Sequence, residues 1–281
     1  MKTKHLLTIA LFAITISSCK KNNETATEEI EATFELSTNQ AVSDNLTQDD
    51  ADVMEEAAAR NNLLGLTPNG TTTTTYNWLP PCAVITVSGS FPAKNIKIDF
   101  GAGCTSSNGV FRKGIINIVL TDSLRKTGSI ATVTFDNYYV NTFKKEGTIT
   151  WTNTTVAGTA TRSCNRRVVN GKITAADGRF WLHESNIDIT QTAGVTTPLD
   201  ITDDVYTLTG TRTATNAAGV SRTTTTQTAL QKKASCSNID QGVLKVQGPN
   251  HYALLDFGNG TCDNLATISI DGRTPRTIIL R

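Results

Sequence analysis

From Cys82 to the C-terminus, short β-branched runs alternate apolar with polar positions and are broken by Gly, Asn and Asp. No stretch there sustains the 3.6-residue period of an amphipathic helix, so the pattern predicts antiparallel strands. Asn108-Gly109, Asn170-Gly171, Asp177-Gly178 and Asp271-Gly272 each supply the positive-φ residues that tight hairpin turns need. Between Tyr206 and Thr215 every odd position from 207 is Thr, which makes one strand face a threonine ladder. The run from Val220 to Leu230 carries Thr or Arg on both faces, so this part of the sheet is expected to meet water. The fold class is therefore all-β, an antiparallel meander that is sandwich-like where its strands are apolar and single-layered where they are Thr-rich.

Upstream, Glu24 to Glu56 lacks any such pattern and reads as a solvated acidic tether. Thr47 with Asp50 three residues on resembles a helix N-cap, and good helix formers follow to Arg60. A short helix over about 48–60 is expected, docked loosely because its apolar face, Val53, Met54, Ala57 and Ala58, is thin.

Charge sharpens this division. Residues 20–70 hold 11 acids and 3 bases, a net of −8, whereas residues 71–281 hold 14 acids and 21 bases, a net of +7. The formal total of +1 conceals two opposite halves. A +7 body suits anionic glycan or lipid headgroups. Its Lys and Arg are not interleaved with aromatics, which speaks against nucleic acid.

The chain begins with Lys2 and Lys4, an apolar run from Leu6 to Ile16, and Ile16-Ser17-Ser18-Cys19. This is the pattern of a secretory signal over residues 1–18, too short to span a bilayer. A thiol directly after small residues is a site for diacylglyceryl transfer, so the mature protein is expected to begin at a lipidated Cys19 carrying acyl chains such as palmitate. Lys20 lacks the acidic character of an inner-membrane retention signal, which favours the outer membrane. The expected organisation is signal 1–18, acidic tether 19–75 and all-β domain 76–281.

Two segments of the body match each other. Cys82 to Cys104 closes on Lys97-Ile-Asp-Phe-Gly-Ala-Gly-Cys104, and Cys236 to Cys262 closes on Leu254-Leu-Asp-Phe-Gly-Asn-Gly-Thr-Cys262. Each reads as a hairpin flanked by its cysteines, over 82–104 and 236–262. An exported compartment permits oxidation, so the expected bridges are Cys82 to Cys104 and Cys236 to Cys262, with Cys164 left unpaired, as a buried thiol in preference to a partner for another chain. The Ser17-Ser-Cys-Lys-Lys-Asn22 start, the Asp-Phe-Gly-x-Gly-Cys turn, Phe135-Asp-Asn-Tyr-Tyr-Val-Asn141 and the closing Gly260-Thr-Cys-Asp-Asn-Leu-Ala-Thr267 resemble a widespread group of Bacteroidota exported lipoproteins. The resemblance covers most of residues 19–281 and implies location and fold, with no activity to transfer.

Little points to catalysis. The mature chain has only His183 and His251, and neither a zinc-protease spacing nor a Gly-x-Ser-x-Gly elbow occurs. The body has only Glu146 and Glu184, and most aspartates sit in turns, so paired glycosidase carboxylates are not evident. Asp256 and Asp263 flank a turn with too few oxygens for calcium. No cofactor or metal is expected. Alternation makes Trp151 a core residue and leaves Tyr138, Tyr139 and Trp181 as a candidate ligand surface. Asp122-Ser123-Leu124 resembles the acceptor triplet for O-glycosylation at Ser123. The sequence thus reads as a lipid-anchored, non-catalytic envelope module that is structural or binds a partner such as anionic glycan. Its rivals are a polysaccharide-active enzyme and a subunit of an envelope complex.

Overall fold

The computed structural model describes residues 25–65, 78–198 and 200–280. The signal segment and Cys19 lie outside the described residues. The first element is a long helix, α1 (Ala26–Arg60), opened by a capping box in which the Thr25 side chain accepts the Glu28 N–H and the Glu28 carboxylate accepts the Thr25 N–H. The strands follow as β1 (Val84–Ser88), β2 (Lys94–Asp99), β3 (Cys104–Thr105), β4 (Phe111–Leu120), β5 (Ile130–Val140), β6 (Phe143–Asn153) and β7 (Ser163–Thr174). After these come β8 (Phe180–Ala193), β9 (Val205–Asn216), β10 (Ser221–Lys233), β11 (Gln241–Gln247), β12 (Tyr252–Asn259), β13 (Leu265–Ile270) and β14 (Arg276–Ile279).

All 14 strands form one antiparallel sheet in chain order, with the short β3 paired to β4 beside the main path and β1 and β14 at the open edges. The fold is all-β in its body, as the alternation predicts. A sheet this wide must curl or split, and here it curls around the helix. Residues 39–50 of α1 are buried without a break, so over more than three turns the helix has no solvent face. The curl follows a crease of bulges whose extra residues lie on β5, β7 and β10. At Gly210, with φ of 143°, a Cβ would stand 2.2 Å from the Asn186 carbonyl, so only glycine lets the neighbouring strand approach. Asn170-Gly171 belongs to this crease inside β7, a correction to its reading as a hairpin turn. Asn108-Gly109, Asp177-Gly178 and Asp271-Gly272 do lie between strands.

The acidic tether and its short helix over 48–60 are also corrected. Thr47 is interior to a 35-residue helix, its hydroxyl donating to the Ser43 carbonyl at 2.7 Å, and Asp50 is an ion-pair partner of Lys145. The threonine ladder does face outward, with Thr211 and Thr213 of β9 in register with Thr225 and Thr223 of β10. The opposite face of the same strand turns Leu208, Arg212 and Ala214 toward the helix.

The two ends of the curled sheet differ. Short turns at 141–142, 175–179, 217–220 and 248–251 close one end, and longer loops at 121–129, 154–162, 194–204 and 234–240 close the other. Glu29, near the helix start, accepts hydrogen bonds from the Asn250 and His251 N–H groups, so α1 enters at the short-turn end. It runs toward the long-loop rim.

Candidate functional site

The interior of the sheet is basic because cations occupy inward positions of the strand alternation. Arg112, Lys145, Arg166, Arg212, Arg222 and Lys232 are all buried. Acids of α1 meet them. Asp44 accepts from Arg212 Nε at 3.0 Å and stands 3.6 Å from Arg166 Nη2. Asp49 pairs with Arg112 at 2.5 Å, Asp50 with Lys145, and Asp52 with Lys232 at 3.3 Å. Glu55 holds Arg125 at 2.5 Å and Arg162 at 3.0 Å, and Glu56 accepts the Trp78 and Leu79 N–H groups at 2.9 and 2.7 Å. The two opposite charge halves are thus one intramolecular interface. Desolvation pushes the Asp50 carboxyl up and the Lys145 ammonium down despite their attraction, and it lowers the Arg166 guanidinium to about 10.

At the long-loop rim the fit between helix and sheet opens into a cavity of about 110 Å³. A cavity needs only about 10–15 Å³ of such volume to hold a single water, so this one has room for several. Ala51 and Met54 of α1, Leu124, Trp151, Ile189 and Ile201 supply apolar wall. Asp52, Glu55, Arg125, Arg162, Asp204 and Tyr206 supply the polar part. Asp204 accepts from Gln191 at 2.7 Å, from the Tyr206 hydroxyl at 2.9 Å and from Arg162. Burial pushes the Asp52 carboxyl up to about 6 and also raises Asp204. Glu55 is equally desolvated, yet Arg125 and Arg162 together hold it below the usual carboxylate range. Cys164 lines the same cavity as a free thiol that burial pushes up to about 12, so it is neither nucleophile nor ready ligand.

The sequence-predicted residues are dispersed. Cys82–Cys104 and Cys236–Cys262 form the two expected disulfides, with Cα separations of 5.9 and 5.1 Å. Each brackets a hairpin. Asp99 and Asp256 play the same part in the two copies, accepting the N–H of Gly101 and Gly258 at 2.9 and 2.8 Å, while Phe100 and Phe257 are buried beside them. Asp240 lies 3.6 Å from Cys236 Sγ, but the sulfurs of this trio of potential metal ligands are consumed in the bridge. Asp263 accepts the Leu265 N–H, so Asp256 and Asp263 serve separate turns.

The aromatic surface does not survive as predicted. Tyr138 is fully buried, 5.3 Å from the Phe135 ring, and Trp181 is buried with its indole N–H donating to Ser43 of the helix at 2.8 Å. Both are packing residues because the face they share is the one that wraps α1. Tyr139 alone is partly exposed, under the Lys113 ammonium at 4.0 Å. Ser123 sits in the long-loop rim, partly exposed and packed against Gly65. No protein-family model, curated protein or solved structure matches the chain. The cavity was missed from sequence because its residues come from eight separate segments. The signal that pointed inward was present: Arg212, Arg166 and Lys145 occupy alternation positions that in an ordinary sheet hold core residues.

Proposed function

We propose that the protein is a lipid-anchored, non-catalytic binding module of the bacterial outer membrane, which holds its long-loop rim and cavity away from the bilayer. The observation that carries this reading is the polarity of the body. Cys19 precedes the helix N-cap Thr25 by only a few residues, and that end of α1 lies among the short turns. At 1.5 Å per residue, the cavity residues Ala51 and Met54 are about 40 Å further along the helix axis. Three lysine–aromatic pairs on the outer face lie at the anchored end, Lys113 over Tyr139, Lys172 over Phe180 and Lys245 over Tyr252, against one, Lys94 over Phe91, at the long-loop rim. Such pairs suit an anionic headgroup surface. Recognition of anionic glycan through a generally basic body has less support, because most interior cations already face acids of α1.

Anchoring is tested by fractionation. Cys19→Ala is expected to move the protein from the membrane to the soluble fraction and to abolish an acyl-sized mass increment on the N-terminal peptide. Continued membrane association without that increment refutes the anchor.

One observation favours an enzyme as a second reading. Asp52, Glu55 and Asp204 share a cavity with carboxyls displaced in opposite directions, an arrangement that acid–base pairs use. Hydrolysis of an envelope polysaccharide by the parent, abolished in Asp52→Asn and Glu55→Gln proteins that still fold, establishes that reading in place of the binding module.

A further inference from the structure

Away from the rim cavity, the described residues hold one place where cysteine sulfurs and a carboxylate come together: Cys236, Cys262 and Asp240, whose Sγ and carboxylate atoms all lie within 4.8 Å of one another. We propose that the Cys236–Cys262 bridge is a thiol–disulfide exchange site that oxidises a dithiol, with Asp240 as the proton acceptor of its buried sulfur. The basis is a difference between the two hairpin units. They share bridge topology, and their sequence separations of 22 and 26 make loop closure contribute almost equally to both. Each joins an exposed cysteine, Cys82 or Cys262, to one that is 2% exposed, Cys104 or Cys236. Four residues after the first cysteine, however, one unit has Thr86 and the other Asp240. No carboxylate of the described residues forms such a group with Cys82 and Cys104.

The Asp240 side chain is 1% exposed, and its Oδ2 lies 3.6 Å from Cys236 Sγ. A bridged sulfur has no proton to donate, so this contact becomes a hydrogen bond only when the bridge opens. Reduction therefore supplies a donor that the bridged state lacks. Lys233, one-third exposed, holds the same Oδ2 at 3.0 Å and connects the buried acid to solvent. Lys232 fixes Cys236 by donating to its carbonyl at 2.6 Å, and the Cys236 N–H donates to the Lys233 carbonyl at 3.0 Å. Cys262 stands on the exposed turn between β12 and β13, so its sulfur is the one an incoming thiolate reaches. That thiolate attacks Cys262 Sγ, the Cys236–Cys262 bond breaks, and a mixed disulfide forms on Cys262. Cys236 leaves as a thiolate, takes up the proton given up by the attacking thiol and donates it in a hydrogen bond to Asp240. The second thiol of the dithiol attacks the first, closes its own disulfide and releases Cys262 as a thiol. Two electrons and two protons have then passed from the dithiol to the bridge. In the reverse direction Asp240 removes the Cys236 proton as that sulfur attacks Cys262.

The test equilibrates the full chain in detergent with graded ratios of reduced to oxidised dithiothreitol. Acid quenching, alkylation and peptide mass mapping then read both bridges in one sample. Cys236–Cys262 is expected to be half reduced at a ratio about tenfold lower than Cys82–Cys104, or lower still, a difference of about 30 mV or more. In Asp240→Asn its midpoint is expected to rise about threefold or more, while that of Cys82–Cys104 stays in place. A second measurement follows resolution of the Cys262–glutathione adduct, at enough glutathione disulfide to make that step limiting. Its rate is expected to vary little between pH 6 and pH 8 in the parent and to rise about tenfold per pH unit in Asp240→Asn, where only the free thiolate, with a pKa of about 8.5, reacts. Equal midpoints for the two bridges, a result that needs no variant, overturn the exchange role. So does an Asp240→Asn shift shared by both bridges, since that marks lost stability rather than a lost proton acceptor.

Discussion

Removing the Asp44 carboxylate tests whether the acidic segment is lodged inside the sheet. Its side chain is 3% exposed, and the two guanidiniums it faces, Arg166 and Arg212, are fully buried. In Asp44→Ala both cations stay behind in a desolvated interior. Breaking a buried pair in this way costs about 3–5 kcal/mol, most of it from the charge left without a counterion. For a chain of this size each kcal/mol corresponds to about 2–4 °C in Tm, so a loss of about 6–20 °C is expected. Glu31→Ala, on an exposed position of the same helix, is the control and stays within about 0.5 kcal/mol. Urea unfolding followed by tryptophan fluorescence reads both, since Trp181 packs on Ser43 of the helix one residue away. An apolar triple replacement, Asp44→Leu with Arg166→Met and Arg212→Leu, is expected to recover most of the loss because no charge is then stranded. If Asp44→Ala and Glu31→Ala destabilise equally by less than 1 kcal/mol, the helix is not held in the interior and the reasoning fails.

Further outcomes follow from the same interior. Asp52 has its carboxyl raised from 3.8 to about 6 chiefly by burial, so the folded state holds this proton more tightly than the unfolded chain. That contribution is present below pH 4 and is lost as pH rises through 6; the stability of Asp52→Asn relative to the parent should therefore grow by up to about 3 kcal/mol between pH 4 and pH 8 in paired denaturation curves. Gly210→Ala places a methyl against the Asn186 carbonyl at a φ of 143° and should cost more than about 2 kcal/mol, whereas Gly109→Ala, with open space around it, should cost about 1. Replacing Cys82 and Cys104 together by Ser should lower stability by about 3 kcal/mol, and non-reducing peptide mapping should link each to no other cysteine.

The sheet was legible because strand alternation and turn chemistry are local. The paired Asp-Phe-Gly turns and their cysteines announced both bridged hairpins. The helix was illegible for a physical reason: a segment buried on every side by polar partners has no apolar stripe, so Ser37, Asn39, Gln40, Ser43, Asp44 and Asn45 read as solvated although all are buried. For the same reason Tyr138 and Trp181 looked available on the sheet, whereas the face they occupy is covered by α1. Asn170-Gly171 carries the letters of a turn, and tertiary curvature uses them as a bulge. The cavity was the least legible feature because Trp151, Arg125 and Asp204 converge only when the long loops gather at one rim.

Buried ion pairs are weak contributors to net stability, since desolvation offsets most of their attraction. Their contribution here is better assigned to register. A helix without an apolar stripe can slide along an apolar groove with little to oppose it, but Asp44, Asp49, Asp50, Asp52 and Glu55 each meet a cation from a different part of the sheet. A slip by one turn, 5.4 Å, would separate all of these pairs at once and strand their charges in a dry interior. Only one position of α1 keeps every charge matched. That position also brings Ala51, Asp52, Met54 and Glu55 to the rim, so the charge pattern that docks the helix also shapes the cavity.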